Sequence, residues 1–193
     1  MIRGVIFDLD GTLFDGPYDW PAIKRELGLS PEDGTILEHF ASLPQREREI
    51  KERTLRRIEV RATREGQLKP GAAELLELLR GNGLKLALVT NNHRHCADAI
   101  VQRYRLRFDL VQTRESGLFK PSGAALLRAA SGIDLRPEEI AAVGDNELDN
   151  RAAHESGMGL VIIVNPQTHR FAGRCDHALR DLAEVRELFT RLL

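Results

Sequence analysis

Short apolar runs rich in β-branched residues and leucine alternate along this chain with stretches of helical spacing. The runs fall at residues 5–7, 84–89, 110–111, 140–143 and 160–164. Between them apolar residues recur at i, i+3, i+4 over 72–79, 97–104, 124–130 and 148–154, and 182–193 reads as a closing helix. Near-continuous apolar strands separated by amphipathic helices describe a parallel sheet covered on both faces. Gly81 and Gly83, then Gly157 and Gly159, stand where helices should stop before the next strand. The pattern predicts an α/β fold with a doubly wound parallel-sheet core.

Residues 16–68 break this rhythm, because only helical patterns occur there. Asp19 is placed to cap a helix through Leu27. Ser30-Pro31-Glu32-Asp33 resembles a capping box opening a second helix, and a third, long and highly charged helix is expected over 45–65. The expected organisation is a core of residues 1–15 and 69–193 interrupted by a small all-helical insertion at 16–68, with Lys69-Pro70-Gly71 leading back into the core.

Three of the predicted strands end in polar groups. The first runs Val5-Ile6-Phe7 into Asp8-Leu9-Asp10-Gly11-Thr12, the second ends at Thr90-Asn91-Asn92, and the run at 140–143 ends in Gly144-Asp145-Asn146 with Asp149 following. Ligands of open α/β sheets bind beyond the carboxyl ends of strands. Residues two apart on an extended strand share a face, so Asp8 and Asp10 converge. With Asp145 they crowd three carboxylates at one edge, a setting that suits Mg²⁺. Lys120 stands directly before Pro121, where a helix is expected to start at 121 or 122. A cation there opposes the helix dipole unless it reaches the carboxylates or a bound phosphate. Such a set equips a site for phosphoryl transfer: a carboxylate nucleophile, an acid–base carboxylate, a divalent cation and donors for the phosphoryl oxygens.

These segments make the chain resemble the haloacid dehalogenase (HAD) superfamily, of the cap-bearing, phosphoglycolate phosphatase-like kind. Asp8-Leu9-Asp10-Gly11-Thr12-Leu13 matches the first family motif, Thr90-Asn91 the second, Lys120-Pro121 the third, and Gly144-Asp145 with Asp149 the fourth. The resemblance implies that Asp8 is the nucleophile and a magnesium ligand. It makes Asp10 the general acid/base, with its backbone carbonyl on the metal, and Asp145 a further metal ligand. Thr90 and Lys120 would hold the phosphoryl group, Asn91 would add a phosphate contact, and Asp149 would orient the metal's water or Lys120. The presence of Asp10 favours phosphatase chemistry over dehalogenation. The activity implied is a Mg²⁺-dependent phosphomonoesterase, a hydrolase acting on a small phosphorylated metabolite through an aspartyl-phosphate. The alternatives are a phosphomutase on the same scaffold and a phospho-accepting binding or signalling module. Two departures stand out: the cap is short, and Ser122-Gly123 follows Pro121 without the second proline often seen there.

Bulk properties narrow the class further. Lys and Arg total 28 against 29 Asp and Glu, which argues against a nucleic-acid partner. No apolar run approaches a membrane span, and the first residues enter a strand pattern at once, leaving no room for a signal peptide. Cys96 and Cys175 form no C-x-x-C pair, which fits a reducing cytoplasm. Other readings of the motifs are weaker. A calcium loop counted from Asp8 would need Gly and Glu where Leu13 and Asp19 stand. His93 and His95, two apart, point to different helix faces and make a poor metal pair. Arg53, Arg57, Arg61 and Arg64 form a stripe on the third insertion helix. Pairs such as Glu47–Lys51, Glu49–Arg53 and Glu52–Arg56 favour a solvated face, and steering of an anionic substrate is the functional alternative. Trp20 is expected to be a packing anchor.

Overall fold

Side chains alternate along every central strand of the sheet, and this alternation divides the core into two layers. The computed structural model describes residues 1–30 and 33–193. Its elements are β1 (Gly4–Phe7), α1 (Trp20–Glu26), α2 (Ile36–Ser42), α3 (Gln45–Glu65), α4 (Ala72–Gly81), β2 (Lys85–Val89), α5 (Arg94–Arg103), β3 (Leu110–Gln112), α6 (Ala124–Gly132), β4 (Ile140–Gly144), α7 (Glu147–Glu155), β5 (Leu160–Val164), β6 (His177–Leu179) and α8 (Leu182–Leu192). Two further two-residue strands, Phe14–Asp15 and Gln67–Leu68, pair with each other. By contact density the chain divides into two units, Met1–Asp15 with Leu68–Leu193, and Gly16–Gln67.

The larger unit holds a six-stranded sheet in the order β3-β2-β1-β4-β5-β6, with every neighbouring pair parallel. Gly4 stands opposite both Lys85 and Ile140, and Phe7 opposite both Leu88 and Val143. Val5, Phe7, Leu86, Leu88, Val143 and Ile162 pack on one face with α4, α5 and α8. Ile6, Ala87, Val89, Ala142 and Val161 pack on the other with α6 and α7. This is the doubly wound α/β arrangement expected from the apolar runs. The chain winds from β1 out to β3, then returns to β4 on the opposite side of β1. That reversal opens a crevice beyond the carboxyl ends of β1, β2 and β4. Strand β6 was not anticipated: its three residues, His177-Ala178-Leu179, are each only half-buried and too few to show a pattern.

The smaller unit closes around its own apolar cluster of Ile23, Leu27, Leu29, Phe40, Leu55 and Ile58. Asp19 caps α1 by accepting from the Ala22 N–H at 2.9 Å. Helix α2 starts at Ile36, later than the predicted box at Ser30, because Thr35 and Glu38 form the complete capping box. Gly34, at φ +68°, turns the chain just before it. Of the predicted box, Pro31 and Glu32 lie outside the described residues, while the Asp33 carboxylate accepts from the Ser30 N–H at 2.6 Å. Helix α3 spans the predicted residues and buries Leu55, Ile58 and Ala62. At 100° per residue, Arg53, Arg57, Arg61 and Arg64 fall on its other side, where all four are exposed. There Arg57 pairs with Glu26 at 3.1 Å, and elsewhere on the helix Arg48 pairs with Glu52 at 3.9 Å. Exposed pairs of this kind contribute about 0–1 kcal/mol each. Trp20 is not the buried anchor the sequence suggests. Opening α1 ahead of Pro21, it stacks on Tyr18 at 4.6 Å and is 46% exposed.

Candidate active site

The crevice gathers side chains from three adjacent strand ends. Asp8 follows β1, and its N–H donates to the Val143 carbonyl at 2.9 Å, extending the ladder one residue past the strand. The chain then folds tightly over the buried Leu9 and Leu13: the Leu13 and Phe14 N–H groups both donate to the Leu9 carbonyl, and Gly11 N–H donates to Phe14 at 2.8 Å. Gly11 has φ +88°, and a Cβ built there would lie 2.2 Å from Asp145 Oδ2. Gly11→Ala is therefore expected to cost about 1–3 kcal/mol in strain and to displace Asp145. Denaturant midpoints that match the wild type would disprove this.

Lys120 reaches the crevice from the loop after β3 and is 5% exposed. Its Nζ donates to Asp8 Oδ1 at 2.5 Å and to Asp149 Oδ1 at 2.6 Å. The other Asp149 oxygen, Oδ2, accepts from the backbone N–H groups of Asp145 at 3.1 Å and Asn146 at 3.2 Å, completing a capping box at the start of α7. Gly144 permits this approach, since a Cβ built on it would come within 2.2 Å of the Asp149 Cβ. Carboxylate oxygens of Asp8, Asp145 and Asp149 lie within 4.8 Å of one another. The helix-dipole argument for Lys120 is weaker than the sequence suggests, because α6 begins only at Ala124. What holds the lysine is the pair of carboxylates.

The electrostatics follow from this crowding. Burial is the largest influence on Asp8 and, with Asp149 adding repulsion, pushes its carboxyl up to about 7 against the attraction of Lys120. Burial and the charges of Asp149 and Asp8 push Asp145 up to about 8. Burial alone would lower Lys120, but Asp149 and Asp8 outweigh it and hold the ammonium above its usual range. Two crowded carboxylates held above their ordinary values, Asp8 and Asp145, offer the oxygen ligands that a hard divalent cation takes.

The segment after β2 carries the remaining polar groups. Thr90 is buried; its N–H donates to Gln112 at 3.1 Å, and its hydroxyl oxygen accepts from the Asn92 N–H at 3.0 Å. The Asn91 side chain is committed to the Lys120 backbone: Oδ1 accepts from the Lys120 N–H at 2.9 Å, and Nδ2 donates to the Lys120 carbonyl at 2.8 Å. These two bonds fix the lysine's peptide. Asn92, to which sequence reasoning gave no role, donates from Nδ2 to Asp10 Oδ2 at 2.8 Å. The only signal for it was a third consecutive polar residue after a buried strand. Asn146 and Asn165 were also missed; they donate to Asp145 Oδ1 at 2.8 Å and to its backbone carbonyl at 2.9 Å. His93 lies outside this set and caps α5, its Nδ1 accepting from His95 N–H at 3.1 Å and its Nε2 lying 3.3 Å from Glu115.

Known proteins are similar to this chain in sequence and in fold. A model of haloacid dehalogenase-like hydrolases matches residues 26–157. An uncharacterized hydrolase of Saccharomyces cerevisiae is 29% identical over 201 residues, covering 99% of this chain and 92% of that protein. A phosphoglycolate phosphatase of Chromobacterium violaceum is 28% identical over 213 residues, covering 97% of this chain and 96% of its own length. Among solved structures, a haloacid dehalogenase-like hydrolase of Bacteroides fragilis superposes with a TM-score of 0.80 at 18% identity, covering 96% of this chain and all of that one. That likeness bears on the fold, while the family match spans well over half the chain. The chain belongs to the haloacid dehalogenase-like hydrolases.

Proposed function

We propose that this hydrolase is a Mg²⁺-dependent phosphatase that removes the phosphoryl group from a small phosphorylated metabolite through an aspartyl-phosphate. The observation that carries the reading is the Lys120 ammonium held between Asp8 and Asp149 at one sheet edge, with Asp145 beside them. Phosphoryl transfer asks a site for positioning and charge neutralisation, and these groups supply both. Asp8, Asp145 and the backbone carbonyl of Asp10 would hold the metal ion, which supplies charge neutralisation that lets two anions approach.

The chain's own residues do the rest. A carboxylate oxygen of Asp8 forms a bond to phosphorus as the ester oxygen departs, and Asp10 gives that oxygen its proton. Water then attacks phosphorus, Asp10 takes the proton back, and Asp8 is regenerated as phosphate leaves. Lys120 binds phosphoryl oxygens, and Thr90, whose oxygen already accepts from Asn92, turns its hydroxyl proton toward them. Asn91 acts through Lys120, holding its backbone on both sides. The helical unit Gly16–Gln67 is read as a cap that determines which leaving group is accepted. Cys96 and Cys175 form no disulfide, which accords with a cytoplasmic enzyme.

The test is repeated turnover of p-nitrophenyl phosphate in Mg²⁺, lost on chelation. Stable single phosphorylation would instead indicate a phospho-accepting module, and dependence on a bisphosphate a mutase. A second expectation follows from linkage. Asp8 and Asp145 are held above their unfolded values, so the stability they contribute is complete below about pH 4 and is lost as pH rises through about 7 and 8. Metal binding must displace those protons, so its affinity rises over the same interval. Mg²⁺ is expected to raise the melting temperature more at about pH 8.5 than at about pH 5.5. Calorimetry showing an equal or inverted effect would count against the cation site.

A further inference from the structure

We propose that Asn92 is a positioning residue for the proton transfer performed by Asp10, and that its amide determines which oxygen of Asp10 carries the proton. The inference rests on the phosphatase reading above and deepens it. Asn92 is 4% exposed and constrained at three points. Its backbone N–H donates to Thr90 Oγ1 at 3.0 Å. Its side-chain Oδ1 accepts from the His93 N–H at 2.7 Å, and its Nδ2 donates to Asp10 Oδ2 at 2.8 Å.

The orientation of the amide follows from chemistry. A backbone N–H can only donate, so the atom of Asn92 that faces His93 must be the carbonyl oxygen, and the NH₂ must face Asp10. An NH₂ group can only donate in turn. It is better satisfied by a carbonyl-type oxygen than by a hydroxyl oxygen, so protonated Asp10 keeps Oδ2 as acceptor and places its proton on Oδ1. Asn92 thereby presents the acid in one of two possible forms and holds the carboxyl plane against rotation. Its anchorage to Thr90 ties this aim to the residue assigned to the phosphoryl oxygens. General acid catalysis depends on such aim, because the proton must meet the departing oxygen as the bond to phosphorus breaks.

The test compares two esters in Mg²⁺. A simple alkyl phosphate has a leaving oxygen that needs the proton, whereas 2,4-dinitrophenyl phosphate has one that does not. Because kcat/KM reports steps through the first irreversible one, it isolates departure of the leaving group from later hydrolysis. Asn92→Ala should lower kcat/KM for the alkyl ester by about 10–100-fold, part of the roughly 10²–10⁴ that an acid contributes, and for the dinitrophenyl ester by less than about threefold. Asn92→Asp keeps the shape and the acceptor for His93 but replaces the donor with a carboxylate that draws the proton to Oδ2. It should show the same selectivity and covers the case in which the alanine variant misfolds. Equal losses on both esters, or wild-type kcat/KM for the alkyl ester in Asn92→Asp, would overturn the proposal. Absence of turnover by the wild type on both esters would instead overturn the phosphatase reading, and this proposal with it.

Discussion

Asp8→Asn is expected to lower kcat by at least about 10⁴-fold while leaving the fold intact. The amide keeps the shape of the carboxyl but is too weak a nucleophile to form the bond to phosphorus. The stability side of the result is equally specific. In the metal-free protein Asp8 is buried and held up to about 7 by that burial and by Asp149, so above neutral pH its charge is an unfavourable one. Lys120 still has Asp149 at 2.6 Å when Asp8 is neutral. The metal-free variant should therefore melt at least as high as the wild type at about pH 8.5. Retained turnover would displace Asp8 from the reaction, and a collapsed melting temperature would mean that its charge is structural.

Lys120→Met is the second large effect, and it falls on stability as well as on rate. Removing the ammonium leaves Asp8 and Asp149 facing each other, buried, with Asp145 nearby. Breaking one side of a buried ion pair typically costs about 3–5 kcal/mol. The sign of its pH dependence can be worked out. The lysine is held above its ordinary value and stays charged throughout the neutral range, so the variation comes from the carboxylates. Asp145 and Asp8, already held up to about 8 and about 7 against the attraction of Lys120, are held higher still without it, and their uptake of protons as pH falls relieves the repulsion. The destabilisation should be large at about pH 8.5 and much smaller at about pH 5.5, read from denaturant midpoints at the two values. An equal loss at both would show that repulsion between the ionised carboxylates is not what destabilises the variant. Turnover should also fall by about 10²–10³-fold, since an electrostatic partner of the transferring group is gone.

The core was legible in the sequence wherever burial is complete. Strands such as Leu160–Val164 are apolar from end to end because helices cover both faces. His177–Leu179 was hidden because an edge strand is paired on one side only and needs no such pattern. Helix starts were readable when the cap was local, as at Asp19, and misplaced when a competing signal lay nearby, as at Ser30 ahead of Thr35. In the site, the residue types and their strand-end positions could be read, but side-chain direction could not. Asn91 and Asn92 are adjacent amides in the same turn, yet one clamps the Lys120 peptide and the other meets Asp10, a difference set by backbone contacts across the crevice.

The hydrogen bond from the Lys69 N–H to the Leu13 carbonyl, at 2.8 Å, joins the point of departure to the point of return. A floppy excursion of some fifty residues would burden the core with roughly 3–4 kcal/mol of closure entropy. Here the excursion carries its own apolar nucleus, and its ends are held together by the larger unit, so the sheet registers little more than a tight bend. That segment can therefore be lengthened, trimmed or rewritten without renegotiating the strands beneath it.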